Sequence, residues 1–138
     1  MKKIVLTFVV LLSFVGLFLL LQNRGAENDG EVIIIVHDGE KVVLEETFSY
    51  YQGDTLFDLV NEHLDLVCAN SSYKPSEECN DLLLGSPVIL GINDVITDWT
   101  SSYFAIYIND TYSNLGVDMI ELEDGDVVRF EVQEVGGE

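Results

Sequence analysis

The sequence predicts an α+β fold: a β-grasp-like mixed sheet packed on one helix, preceded by one N-terminal transmembrane helix. Three observations predict it. An unbroken apolar run, Ile4 to Leu21, follows two lysines at the start of the chain. Most of the remainder reads as short strands, rich in β-branched and aromatic residues and separated by Asp-Gly and Asn-containing turns. One segment only, opening at "GDTLFDLV", has helical spacing, so the strands have a single helix to cover them. The 138 residues divide into a signal anchor at 1–24, a tether at 25–30 and one domain at 31–138.

The apolar run has 18 residues, near the lower limit for crossing a hydrocarbon core of about 30 Å. It is longer than the apolar region of a cleaved signal peptide, and it exits into Gln22, Asn23 and Arg24 without a clean small-residue site. A retained anchor is therefore expected, with a cleaved and secreted form as the alternative. No cysteine follows the run to carry a lipid. Lys2 and Lys3 put the N-terminus inside, which makes the chain a single-pass cell-membrane protein with its domain extracellular. The polar stretch "QNRGAENDG" reads as a short tether.

All 25 acidic residues lie at or after Glu27, against three basic ones beyond residue 25, Lys41, Lys74 and Arg129. Such a surface repels nucleic acid and anionic lipid, so nucleic-acid binding is excluded.

The domain opens with a hairpin. Val32 to Val36 is the first strand, Asp38-Gly39 the turn, and Val42, Leu44 and Phe48 the apolar face of the return strand. Glu46 interrupts that face and marks an edge or a bulge. Thr55 and Asp58 have capping-box spacing, and Leu56, Leu59, Val60, Leu64 and Val67 form one stripe, so a helix is expected across "GDTLFDLVNEHLDLVCAN". His63 beside the stripe reads as a structural histidine. Residues 68–87 form a long irregular excursion with a helical turn at "NDLLLG". "VILGINDVITDW" reads as strand, turn and short strand. Tyr103 to Ile108 is the next strand, with Phe104, Ile106 and Ile108 inward and Tyr103 and Tyr107 outward. A closing hairpin is expected at Asp124-Gly125, with Val128, Phe130 and Val132 inward.

Cys68 and Cys79 are the two cysteines. Export makes a disulfide the expected state, with unpaired thiols as the alternative. Their spacing does not suit zinc, and His37 and His63 have no obvious partners. "LEDGD" lacks the remaining positions of a calcium loop and reads as a turn, so no metal is assigned. No catalytic motif or phosphate loop is present, and the chain is not read as an enzyme. The candidate ligand-binding set is Trp99, Tyr103, Tyr107, Asn109 and Tyr112, because tyrosine and tryptophan combine apolar area with a polar tip.

The order "GDTLFDLV", "VILGIND", "YFAIYIND", "NLGVD", "LEDGDVVRFE" resembles a bacterial domain-of-unknown-function family similar to the C-terminal domain of transcobalamin and intrinsic factor. The likeness covers about residues 31–133 and rests on the order and spacing of short motifs. Gly53 and Thr55 match the helix entry, Ile92 and Asn93 the central turn, Gly116 and Asp118 the loop end, and Asp124, Gly125 and Asp126 the closing turn. Trp99 and Tyr103 fall in the aromatic segment, although the family pattern often has its tryptophan directly in the strand. Asn109 matches the loop asparagine, but Asp110 stands where the family pattern has glycine. The resemblance implies a cobalamin-like small molecule as ligand rather than a resident cofactor. A surface protein-interaction or adhesion module without a small-molecule ligand is the alternative. The partners expected are thus a small molecule or a surface protein, and the membrane through the N-terminal helix.

Overall fold

Period-two alternation in the first strand sets the architecture. In the computed structural model, which describes residues 28–136, β1 (Gly30–Asp38) buries Val32, Ile34 and Val36 and turns Ile33, Ile35 and His37 to the other face. β1 and β2 (Lys41–Tyr50) form the expected hairpin, and Gly39 sits at φ +62° in its turn. The signal anchor at 1–24 and the tether's first residues lie outside the described residues. Among those described, no helix is long and apolar enough to cross a membrane. At the end of the tether Gly30 pairs with Tyr50, and the Asp29 N–H donates to the Tyr50 carbonyl at 2.8 Å. Glu46 does lie on an edge strand, opposite buried Ile34. The bulge falls instead at Val36/His37, and it sends Val42 to the outer face with His37.

The helix is shorter than the stripe suggested. α1 (Leu56–His63) starts with the expected capping box: Thr55 Oγ1 accepts from the Asp58 N–H, and Asp58 accepts from the Thr55 N–H at 2.8 Å. It ends at Leu64, which is extended. Asn93 then grips Asp65 from both sides, its Oδ1 accepting the Asp65 N–H at 3.0 Å and its own N–H donating to the Asp65 carbonyl at 2.7 Å. The following apolar residues form a strand, β3 (Leu66–Ala69). A short apolar run fits either period, and pairing with another strand decides it here.

Two sheets result, not the single one expected. The first is mixed, in the order β2-β1-β9-β7-β8, with β7 (Ser102–Ile108), β8 (Thr111–Tyr112) and β9 (Val127–Glu134). β9 runs parallel to β1 and antiparallel to β7. The second has the order β4-β3-β5-β6, with β4 (Pro75–Ser76), β5 (Ile89–Ile92) and β6 (Val95–Ile96). Its strands approach closely at Gly91, where a Cβ would meet the Ile96 side chain and, at 3.1 Å, Val67. No closing hairpin forms at Asp124-Gly125. The residues before that turn make a 3-10 turn at Val117–Met119 and a single bridge from Glu121 to Thr55. No helical turn forms at "NDLLLG" either. Leu83 pairs with Ser86 around a tight turn in which Leu84 and Gly85 both have positive φ.

One core joins the layers. Val32, Ile34, Val36, Val128 and Phe130 of the first sheet pack with Leu56, Leu59 and Val60 of the helix and with Leu66, Cys68, Ile89 and Ile92 of the second sheet. Phe104, Ile106 and Ile108 lie against this core as expected, with Phe104 edge-on to Phe130 at 6.4 Å. His63 stacks on Phe48 at 4.8 Å.

Cys68 and Cys79 are joined as a disulfide. It ties β3, rather than a helix end, to the excursion. Replacing both cysteines with serine should lower stability by about 2–3 kcal/mol, the loop-closure entropy of so short a loop. Urea unfolding of the oxidised and serine forms measures this, and a difference near zero would count against it.

Asn109 supports a second prediction. At φ +50° it turns β7 into β8, its Nδ2 donates to Asp126 at 2.9 Å, and its Oδ1 accepts the Val127 N–H at 2.9 Å. Asn109→Gly keeps the backbone conformation and loses both side-chain bonds, so about 1–3 kcal/mol of destabilisation is expected. Asn109→Ala should cost more, since alanine also resists positive φ. Thermal melts of the two variants rank them.

Candidate functional site

A cavity of about 500 Å³ is lined by residues of both sheets and of the loops beside them. Its floor is Phe104, Ile106 and Phe130, from β7 and β9. One wall comes from the end of the excursion and the start of β5, Leu83 to Leu90, and the other from the stretch between Tyr112 of β8 and Met119 of the 3-10 turn. The walls are tied together. Ser86, itself buried, donates a hydrogen bond to Asp118, and Gly116 approaches Ser86 so closely that a Cβ would collide with its side chain. Of the residues that line the cavity, none is Asp, Glu, Lys, Arg or His. Four large apolar side chains stand at its rim and are half exposed or more: Leu84 at 93%, Leu115 at 57%, Met119 at 50% and Tyr112 at 50%.

Trp99 lines the mouth from a conformation rare for a bulky residue, φ +64°. Asp98 holds it there. The Asp98 carboxylate accepts the N–H groups of Thr100, Ser101 and Ser102 at 2.7–3.1 Å and the Ser101 hydroxyl at 2.7 Å, while the Trp99 N–H donates to the Ser102 carbonyl. These bonds, the Ser101 hydroxyl first, bring the Asp98 pKa down to about 2. The strain of the tryptophan is thus offset by an anion with four donors.

The sequence-derived candidates separate into two groups. Trp99, Tyr103 and Tyr112 line the cavity. Tyr107 and Asn109 do not. Tyr107 lies on the outer face of the first sheet, as the alternation requires, but half-buried under a network instead of free. Its hydroxyl accepts from Gln133 at 2.7 Å, Gln133 accepts in turn from the Tyr103 hydroxyl at 3.1 Å, and the Arg129 guanidinium sits 4.4 Å above the Tyr107 ring. Arg129 also pairs with Asp110 and Glu131. The Tyr107 ring meets the Tyr112 ring edge-on at 5.7 Å, so it touches the cavity only through Tyr112. Asn109 is engaged by the closing turn.

The rim leucines and methionine escaped the sequence reading. Their signal was there: "DLLLG" and "NLGVDM" place apolar side chains in loops otherwise built of polar residues. In "LEDGD", Asp124 accepts the Glu31 N–H and Asp126 accepts from Glu123 and Asn109, so both carboxylates serve the turn. Among the described residues no group of three or more His, Cys, Asp or Glu is placed to hold a metal ion.

Comparison with curated proteins finds no match. Sixteen chains of solved structure do match. One is a protein from Ruminococcus gnavus ATCC 29149 described as a candidate metal-binding protein. It is 17% identical, with a TM-score of 0.52, over 79% of this chain and 99% of that one. At that identity the likeness conveys the fold alone. A family model described as "Domain of unknown function (DUF4430)" matches residues 53–134, from the entry of the helix to the end of the last strand, and the chain therefore belongs to that family.

Proposed function

We propose that the domain is a binding module, held outside the cell membrane by its N-terminal segment, whose cavity takes a small molecule with an uncharged apolar body. One observation carries this reading. A domain with 23 acidic residues keeps a cavity of about 500 Å³ free of charged lining and rims it with exposed Leu84, Leu115 and Met119. Cavities of this size suit ligands with a few tens of atoms. Exposed apolar side chains gathered in one place mark contact sites. Trp99, Tyr103 and Tyr112 are the aromatic residues assigned to the ligand. Tyr107 and Asn109 support the site indirectly, through the Tyr112 ring and the β7–β8 turn.

The resemblance to the C-terminal domain of transcobalamin makes a cobalamin-like molecule the first candidate. The β-grasp-like order supports it: an opening hairpin, one helix, and a last strand parallel to the first in the middle of the sheet. A corrinoid is too large to be enclosed, so it would seat one edge and leave the rest outside or against a partner. Metal binding is not carried over from the R. gnavus protein. The second reading is a surface protein-interaction or adhesion module, favoured by the same exposed rim. Neither reading asks the domain for catalysis.

Trp99 is the chain's single tryptophan, which makes it a built-in reporter. An apolar dye titrated into the full chain in lipid nanodiscs should shift Trp99 emission saturably, and cyanocobalamin should compete in equilibrium dialysis. Leu115→Asp should weaken dye binding roughly tenfold or more. As a surface change it should leave stability within about 0.5 kcal/mol. If the dye does not saturate, the small-molecule reading fails and the adhesion reading replaces it.

A pH prediction follows from Asp98. Its folded-state pKa is depressed to about 2, below the ordinary value of 3.8. What the carboxylate contributes is complete above its unfolded pKa and is lost as pH falls through the folded one. Trp99 emission should therefore hold steady down to about pH 4 and change between about pH 4 and 2. Asp98→Asn should show an altered Trp99 environment already at neutral pH. An unchanged Asn variant would show that the carboxylate does not hold the loop.

A further inference from the structure

The proposed cavity is bordered by an open strand edge, and that edge specifies the chemistry of what binds. β7 pairs with β9 without a break from Ser102 to Ile108. In an antiparallel ladder, alternate residues direct both main-chain groups to the same side. Three bonds fix which ones. The Val135 N–H donates to the Ser101 carbonyl on the β9 side. The Ser113 N–H donates to the Ile106 carbonyl, and the Trp99 N–H to the Ser102 carbonyl, on the opposite side. Ser102, Phe104 and Ile106 thus point their main-chain groups away from β9. β8 is only two residues long and pairs with Tyr107 and Ile108 alone. Among the described residues nothing bonds to the Phe104 N–H, the Phe104 carbonyl or the Ile106 N–H.

These three groups lie between Trp99 at one end and Tyr112 and Ser113 at the other. All of those residues line the cavity, as do the side chains of Phe104 and Ile106. The slot is therefore a length of sheet edge one strand-residue pair wide, closed at both ends, with an apolar, uncharged recess beside it. A donor and an acceptor left side by side on an edge call for a partner with an acceptor and a donor at the same spacing. An amide in extended conformation has that spacing.

Resting on the binding reading above, we infer that the ligand is an uncharged apolar molecule carrying an extended secondary amide, in the manner of a short hydrophobic peptide strand, which pairs with the Phe104 main chain and seats an apolar side group in the cavity. Charge complementarity agrees: an anionic group would meet neither a cation in the recess nor a favourable field around it, given a domain with three basic and twenty-three acidic residues.

The test uses the full chain in lipid nanodiscs and two capped tripeptides, acetyl-Leu-Phe-Leu-amide and the same peptide N-methylated at the central residue. Binding is read by Trp99 emission, and hydrogen exchange of the Phe104 and Ile106 amides is followed in parallel. The methyl group removes the donor and blocks strand approach while leaving apolar area intact. The unmethylated peptide should bind saturably and slow exchange at Phe104 and Ile106, and the methylated one should bind roughly tenfold more weakly, as loss of a main-chain pairing implies. Equal binding of the two, or binding without protection at Phe104, would overturn the strand-edge inference and leave the cavity reading standing. Failure of both peptides while an apolar dye still saturates would do the same. Failure of the dye as well would remove the binding reading on which the inference rests.

Discussion

The parallel pairing of the last strand with the first is the constraint on which the rest depends. Ile33 to His37 pair with Val127 to Glu131, and β9 thereby enters the middle of a sheet whose other strands were made earlier in the chain. A parallel pair cannot be closed by a tight turn, so β9 must be aimed from a distance. A cluster of side chains aims it. Asp124 takes the Glu31 N–H, Gly125 donates to the Glu31 carbonyl, Asp126 takes the Glu123 N–H and the Asn109 amide, and Asn109 takes the Val127 N–H. The Asp126 carbonyl then receives the Ile33 N–H at 2.9 Å, the first rung of the ladder. What reads locally as an Asp-Gly hairpin turn is the device that delivers β9 between β1 and β7.

The position of the cavity follows from that delivery. With β9 central, β7 becomes the next-to-last strand, covered outside only by the two residues of β8. The single helix packs into the shared core, and at its end His63 stacks on Phe48 of β2. The second sheet spreads over the remainder, but it holds together through short strands of two to four residues. Such a sheet covers Phe130 at the centre and leaves the outer ends of Phe104 and Ile106 facing a gap. The disulfide and the Ser86–Asp118 bond keep the loops around this gap from collapsing into it or moving away.

Much of this was legible in the sequence, and the parts that were not share a cause. The β1–β2 hairpin, the Thr55–Asp58 capping box, the Asn93 turn and the inward set Phe104, Ile106 and Ile108 are local signals, and each appears where its spacing places it. The end of α1 is not local. Leu64 and Val67 satisfy the helical stripe, and what stops the helix is Asn93, 28 residues away, binding Asp65. The same holds for the tyrosines. Alternation correctly puts Tyr107 on the outer face, yet its half-burial depends on Gln133 and Arg129, brought alongside by β9. Trp99 and Tyr112 were identifiable as aromatic residues suited to a site. That they share it with Leu84, Leu115 and Met119 required knowing that two loops thirty residues apart form facing walls.

Charge and exposure together argue for what the site is built to meet. Exposed leucine on a stable soluble surface is ordinary when scattered. Here four of the eleven exposed large apolar side chains, Leu84, Leu115, Met119 and Tyr112, stand at one opening, on a domain rich in carboxylates. The same carboxylates would penalise any anion that approached, and the recess offers none of its own charge to compensate. Selectivity must then come from shape, aromatic contact and hydrogen bonds. The side chains lining the recess supply few of the last, since Ser86 is committed to Asp118 and the Tyr103 hydroxyl to Gln133. The main chain of β7 adds directional contacts to those of the Trp99 indole, the Tyr112 hydroxyl and the Asn114 amide. A strand edge left open beside an apolar recess is an aggregation hazard unless it is narrow. Bracketing by the Trp99 turn at one end and β8 at the other narrows it to the groups of Phe104 and Ile106, which is enough for one amide and too little for a second sheet.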